Sequence, residues 1–168
     1  MNDEFESVRA VTTQAKPRSG LSLRARAVGL LSRREHSRVE LSRKLSVHAQ
    51  SPDELIELLD ALAKEGWQSD ERFVRGFVHR KAGQQGLVKI IQELTQQGID
   101  ATQVAQVRLE LKGSEFERAQ GVWQKKFSRS GPPLTAPDYA RQGRFLASRG
   151  FSAEVIHRIL KEPPEYET

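Results

Sequence analysis

The chain has 168 residues and a mass of 19.0 kDa, with 27 Lys and Arg against 22 Asp and Glu, a net charge of +5 and a pI near 9.7. It contains no cysteine, which excludes disulfide scaffolds, thiolate metal sites and cysteine nucleophiles. Hydrophobic residues make up 37% and no run approaches the roughly 20 apolar residues of a membrane helix, so the sequence reads as a foldable cytoplasmic protein whose basic balance suits an anionic partner.

In chain order, residues 1–20 read as a disordered tail: they begin acidic, without the apolar core of a secretory leader, and show no sustained period. Beyond Ser22 the pattern is helical, strand alternation is absent, and no proline falls between Asp53 and Gly131. Helix starts are marked by capping residues. Ser37-x-x-Glu40, Ser51-Pro52-x-Glu54 and Ser114-x-x-Glu117 fit the capping box. Ser69, Asp100, Thr135 and Ser152 offer further caps. Gly66, Gly98, Gly113 and Gly150 follow apolar-periodic runs, as left-handed helix ends would.

These signals predict an all-α protein of about nine helices. The match of Leu94-x-x-x-Gly98-Ile99-Asp100 to Leu146-x-x-x-Gly150-Phe151-Ser152, roughly 50 residues apart, points to an elongated array of three tandem three-helix repeats, helix-turn-helix-like. Their expected bounds are 21–66, 69–113 and 114–162, followed by a tail over 163–168. Period 3.6 selects the core. In the first repeat it is Ala27, Leu30, Leu31, Leu41, Leu45, Ile56, Leu59, Leu62 and Trp67; in the second, Phe73, Phe77, Leu87, Ile90, Ile91, Leu94, Ile99, Val104 and Val107. In the third it is Phe116, Trp123, Phe127, Phe145, Leu146, Phe151, Val155, Ile156 and Ile159, with Trp67 and Trp123 expected at repeat junctions.

The candidate binding residues are cations, because guanidinium and ammonium groups suit phosphate and carboxylate oxygens. Arg33, Arg34, Arg38, Arg43 and Lys44 cluster in the first repeat. Arg72, Arg75, Arg80, Lys81 and Lys89 cluster in the second, and Arg141, Arg144 and Arg149 in the third. Between the first two clusters runs an acidic stretch from Asp53 to Glu71, read either as first-turn helix residues or as a face for basic protein. The four histidines are scattered, no metal-ligand spacing or phosphate-binding glycine loop is present, and neither a catalytic site nor a cofactor is expected. A helix-turn-helix module binding DNA without sequence preference is the competing reading of the basic helices.

Four segments, in order, carry a family resemblance: Arg34-Glu35-His36-Ser37-Arg38-Val39-Glu40-Leu41-Ser42-Arg43-Lys44-Leu45, Ser69-Asp70-Glu71-Arg72-Phe73-Val74, Gly86-Leu87-Val88-Lys89-Ile90-Ile91-Gln92-Glu93-Leu94 with Gly98-Ile99, and Arg141-Gln142-Gly143-Arg144-Phe145-Leu146 running into Arg149-Gly150-Phe151-Ser152. Over residues 24–161 the chain resembles the RecX family of RecA regulators. The resemblance implies tandem three-helix repeats that bind RecA and RecA–single-stranded DNA filaments and dampen ATP hydrolysis, strand exchange and co-protease action. It implies no enzyme activity, and nothing in the sequence demands more than a monomer.

Overall fold

The structure is a computed structural model and describes residues 20–161. Nearly all of the expected N-terminal tail, including Lys16 and Arg18, and the C-terminal tail lie outside the described residues. Among those described, the chain forms nine α-helices and no strand. They are α1 (Leu23–Leu31), α2 (Arg38–Leu45), α3 (Pro52–Lys64), α4 (Asp70–Lys81), α5 (Leu87–Gln96), α6 (Ala101–Lys112), α7 (Glu115–Phe127), α8 (Ala136–Ser148) and α9 (Ala153–Lys161).

The starts form where short polar side chains can take orphan amides. Ser37 accepts from Glu40 N, Ser51 from Glu54 N, Ser69 from Arg72 N and Thr135 from Asp138 N. The reciprocal half of the box is altered. Glu54 reaches back to the amide of Gln50 at 2.6 Å, while Glu40 turns to Arg34 and His36 instead. Ser114 does not cap: its hydroxyl donates to Leu111 O at 3.4 Å and accepts from Arg118 Nε at 3.3 Å. The turn from α6 to α7 is too tight for the extended backbone a cap needs, with Ser114 at ψ 9°. For the same reason Gly113 stays right-handed at φ −64°, whereas Gly66, Gly98 and Gly150 are left-handed as expected, at φ 77°, 71° and 83°.

Three apolar clusters follow the three helix triplets. The first gathers Ala27, Leu41, Leu45, Leu55, Leu59 and Leu62. The second joins Phe73 and Phe77 to Leu87, Ile90, Ile91, Leu94, Ile99, Val107 and Leu111. The third surrounds Trp123 with Ala119, Val122, Phe127, Leu146, Phe151, Ile159 and Leu160. Two expected core residues fail. Ile56 is 51% exposed because Leu55, one position earlier on α3, takes the inward face. Trp67 is 44% exposed, held on the turn before α4 by its backbone rather than its ring. Trp123 is wholly buried, within the third unit rather than at a junction, and donates from Nε1 to Gln142 Oε1 at 2.7 Å.

Neighbouring units meet middle helix to middle helix. The left-handed end of α5 abuts the start of α2: a Cβ on Gly98 would lie 2.3 Å from Val39 Cγ2. The end of α8 abuts the start of α5 in the same way, with Gly86 N donating to Arg149 O at 2.8 Å and Val88 N to Gly150 O at 3.1 Å. A Cβ on Gly86 would lie 2.2 Å from the Gly150 carbonyl. The repeated motif read from sequence is thus the contact surface between units.

Gly86→Ala should cost about 1–3 kcal/mol by forcing the two backbones apart. Gly113→Ala, right-handed and opening onto free space, should stabilise by about 0.4–1 kcal/mol. Urea unfolding of both variants against the parent checks the contrast.

Candidate functional site

Each junction is closed by an acid at the first position of the following unit. Asp70 Oδ1 accepts the amide of Arg38, the first residue of α2, at 2.9 Å, and Gln68 Nε2 at 2.8 Å. Glu115, 5% exposed, does the same for α5: its Oε1 accepts the amide of Leu87, the first residue of that helix, at 3.2 Å. Glu115 also accepts Ser152 N at 3.3 Å and Ser152 Oγ at 3.2 Å, just ahead of α9. A carboxylate suits these places because it meets the positive end of a helix and an otherwise orphaned donor at once.

A guanidinium follows each acid. Arg72 donates from Nη2 to the carbonyls of Gly66 and Trp67, both at 2.9 Å, and from Nε to Glu35 at 2.7 Å. Arg118 donates to the carbonyls of Ala82 at 3.1 Å, Gln85 at 2.8 Å and Leu111 at 3.1 Å. Burial lowers the Arg118 pKa, with the charges of Glu115 and Glu117 pulling the other way, and the group stays a cation at neutral pH. Glu115 and Arg118 were not singled out from the sequence. The shared Ser-acid start of Ser69-Asp70 and Ser114-Glu115 is the signal that would have found the acid.

The sequence-derived cations divide into two sets. Seven are engaged with acids. Arg34 and Lys44 pair with Glu40, Arg38 with Asp60 at 2.7 Å, and Arg72 with Glu35. Arg75 pairs with Glu71 at 2.8 Å, Lys81 with Glu93 at 3.8 Å, and Arg141 with Asp138 at 3.0 Å. Arg33, Arg43, Arg80, Lys89, Arg144 and Arg149 make no ion pair among the described residues. Within that set, Arg43 donates to Gln97 at 3.1 Å across the first junction, and Arg149 stacks on Phe145 with 5.1 Å from guanidinium carbon to ring centroid. Arg33 and Lys44 line one groove between α1 and α2 with Arg26 and His48. Lys89 touches Gly150 across the second junction, beside Arg149. Four of the six, Arg33, Arg43, Lys89 and Arg149, thus lie in the first groove or at the joints. Much of the acidic stretch is paired within the chain, at its surface for Glu65 with Arg24, Asp60 with Arg38 and Glu71 with Arg75, while Asp70 closes the first joint.

His36 is buried beside the first joint, with Nδ1 at 3.0 Å from Glu40 Oε2 but off the hydrogen-bonding direction. Burial, aided by the Arg34 charge, holds its pKa below the ordinary 6.5 despite the pull of Glu40. For Glu40, burial pushes the pKa up. The hydrogen bond and charge of Arg34, with the His36 ring, outweigh it and hold the carboxyl below its ordinary value. Among the described residues no group of acids and histidines forms a metal cage, and no helix is long and apolar enough to cross a membrane.

Comparison with known proteins decides the family. Residues 69–107 match the family model of the second three-helix domain of RecX, and residues 114–160 that of the third. The chain is 46% identical over 147 residues to the Regulatory protein RecX of Ralstonia nicotianae, covering 88% of this chain and 91% of that one. The chain belongs to the RecX family. The Regulatory protein RecX of Neisseria gonorrhoeae is 41% identical over 140 residues, covering 83% and 90% of the two chains. The fold is shared with the crystal structure of RecX from Lactobacillus salivarius, at a TM-score of 0.68 and 22% identity, covering 83% of this chain and 93% of that one. The matched segments span the second and third units, and the curated relatives are named as regulators, which makes this a helical regulatory protein by kinship.

Glu115→Ala should cost about 1–3 kcal/mol for each stranded amide and remove hydrogen-exchange protection at Leu87 and Ser152. For His36 the unfolded chain binds a proton that the folded chain resists. Its contribution is therefore complete above the unfolded pKa of about 6.5 and is lost as the pH falls through it. Glu40 adds an acid-side loss in the same direction, as its depressed carboxyl becomes protonated. Thermal melting at about pH 5.5 should lie below that at about pH 7.5, and His36→Gln should flatten the difference.

Proposed function

We propose that this chain binds RecA and RecA–single-stranded DNA filaments and restrains them. It would thereby lower ATP hydrolysis, strand exchange and co-protease action and modulate recombination, DNA repair and the SOS response in the cytoplasm. The observation that carries this reading is 46% identity along 91% of a relative named Regulatory protein RecX. The chain acts as a binding protein, as a monomer and without a cofactor.

The chemistry of the surface supports a polyanionic filament as the target. Arg33, Arg43, Arg80, Lys89, Arg144 and Arg149 carry charges that no acid of the described fold neutralises, and they recur in all three units. Such cations bind phosphate oxygens and protein carboxylates alike. Arg72 is removed from the contact set, because its guanidinium is committed to Glu35 and two carbonyls. Arg34, Arg38, Lys44, Arg75, Lys81 and Arg141 contribute less, since each arrives already paired. The mechanism is steric and electrostatic: an array of three units lies along the filament groove, bridges neighbouring protomers and opposes the movements of ATP turnover and growth.

RecA ATP hydrolysis on single-stranded DNA, titrated with this protein at two salt concentrations, tests the reading. Inhibition well below one copy per RecA is the expected result. Inhibition only in excess over DNA sites, vanishing with salt, would mean plain competition for DNA. No effect at large excess would overturn the proposal.

A further inference from the structure

A second basic feature joins Arg149, a candidate from the sequence, to two lysines that the sequence reading did not single out. The loop after α4 (Gly83, Gln84), the last turn of α7 (Lys125, Lys126) and the end of α8 (Phe145, Arg149) enclose a cleft of about 250 Å³ at the joint of the second and third units, with Val122 in its floor. Every charged residue lining it is a cation. Lys125 and Lys126 are exposed and pair with no acid among the described residues. Their place at a helix C-terminus suits the helix dipole, as does that of Arg149 at the end of α8, but the dipole does not account for two helix ends meeting on one cleft that no acid lines. Arg149 is held by its stack on Phe145, which Phe127 fixes edge-on with ring centroids 5.3 Å apart. A guanidinium oriented in this way gives up less freedom when it binds an oxyanion.

We infer that this cleft holds one nucleotide of single-stranded DNA, its phosphate between Lys125, Lys126 and Arg149 and its sugar and base against Phe145 and Val122. The choice of single-stranded DNA rests on the filament reading above. Size and lining agree with it. The cleft is smaller than the roughly 300–1,000 Å³ that encloses a whole small molecule, so it suits one residue of a longer chain. Cations beside an apolar floor match the two halves of a nucleotide, whereas an acidic peptide would use the cations and leave the floor uncovered.

The geometry also supplies a probe. A Cβ on Gly83 meets nothing within 4 Å, and the residue is not left-handed, so Gly83→Glu puts a carboxylate at the cleft without straining the backbone. The measurement is fluorescence anisotropy of a labelled 20-nucleotide oligo(dT) with the full chain and no RecA, over a salt series. Lys125→Ala with Lys126→Ala should lose about one phosphate contact. That flattens the log–log salt slope by about 0.7 and weakens binding roughly 5-fold near 0.1 M salt. Gly83→Glu should weaken binding too, although it removes no cation, and circular dichroism of both variants should match the parent. Unchanged affinity and slope in the variants, no binding by the parent, or displacement by oligoglutamate as effective as by unlabelled oligo(dT) would overturn the inference. The same proteins run in the RecA ATPase assay separate the two readings. Oligonucleotide binding through these residues with no effect on RecA sinks the filament reading and keeps the cleft. Inhibition of RecA with unaltered variant binding does the reverse.

Discussion

An amide at the start of a helix has no partner within its own helix, and this array is organised around supplying that partner from the next unit. Arg38 N meets Asp70 and Leu87 N meets Glu115. Each acid is the first residue of a helix itself, so one carboxylate faces the positive ends of two helices. A guanidinium a few residues later then gathers the carbonyls on which the preceding unit ends. The joint is therefore largely polar and directional, while the buried apolar clusters stay within their own three helices. Small units of this kind cannot be robust alone, and the polar joints fix how one sits on the next.

The two joints share a plan and differ in makeup. The first relies largely on side chains that water reaches, such as Arg72 with Glu35 and Arg43 with Gln97. The second adds direct backbone pairing, through Gly86 and Val88, to a buried carboxylate. Interactions of the first kind weaken with salt and those of the second do not. Among the cations left for a partner, Arg43, Lys89 and Arg149 lie at these joints.

Much of this was legible in the residues. Capping residues, stop glycines and the 3.6 period are local devices, and together they marked the helices along with the repeat of Gly98 and Gly150. Local rules failed where a neighbour took over. Ser114 looks like a cap, yet its hydroxyl is occupied by Leu111 O and Arg118, because Arg118 is ordering the second joint. Trp67 looks like core, yet it sits on the turn whose carbonyls Arg72 needs. The site was harder to read than the fold. A one-dimensional count of Arg and Lys cannot tell Arg72, committed to three acceptors, from Arg80, which has no acid beside it. Lys125 and Lys126 were passed over although Arg129 follows close behind; their cleft exists only once α4, α7 and α8 converge.

The switch from Val88 to Pro137 at the second position of the middle helix has a consequence for symmetry. A head-to-tail array of identical joints is open-ended, and nothing in its geometry says where it should stop. In the second unit the Val88 amide is donated onward to the Gly150 carbonyl. The third unit has proline at that position, which carries no amide to give, and Thr135 caps the same helix with its own hydroxyl. Leu134, just ahead of it, is 88% exposed where a further unit would sit. The third unit thus cannot offer the backbone donor that the second unit offers it, a donor the second joint uses and the first does not.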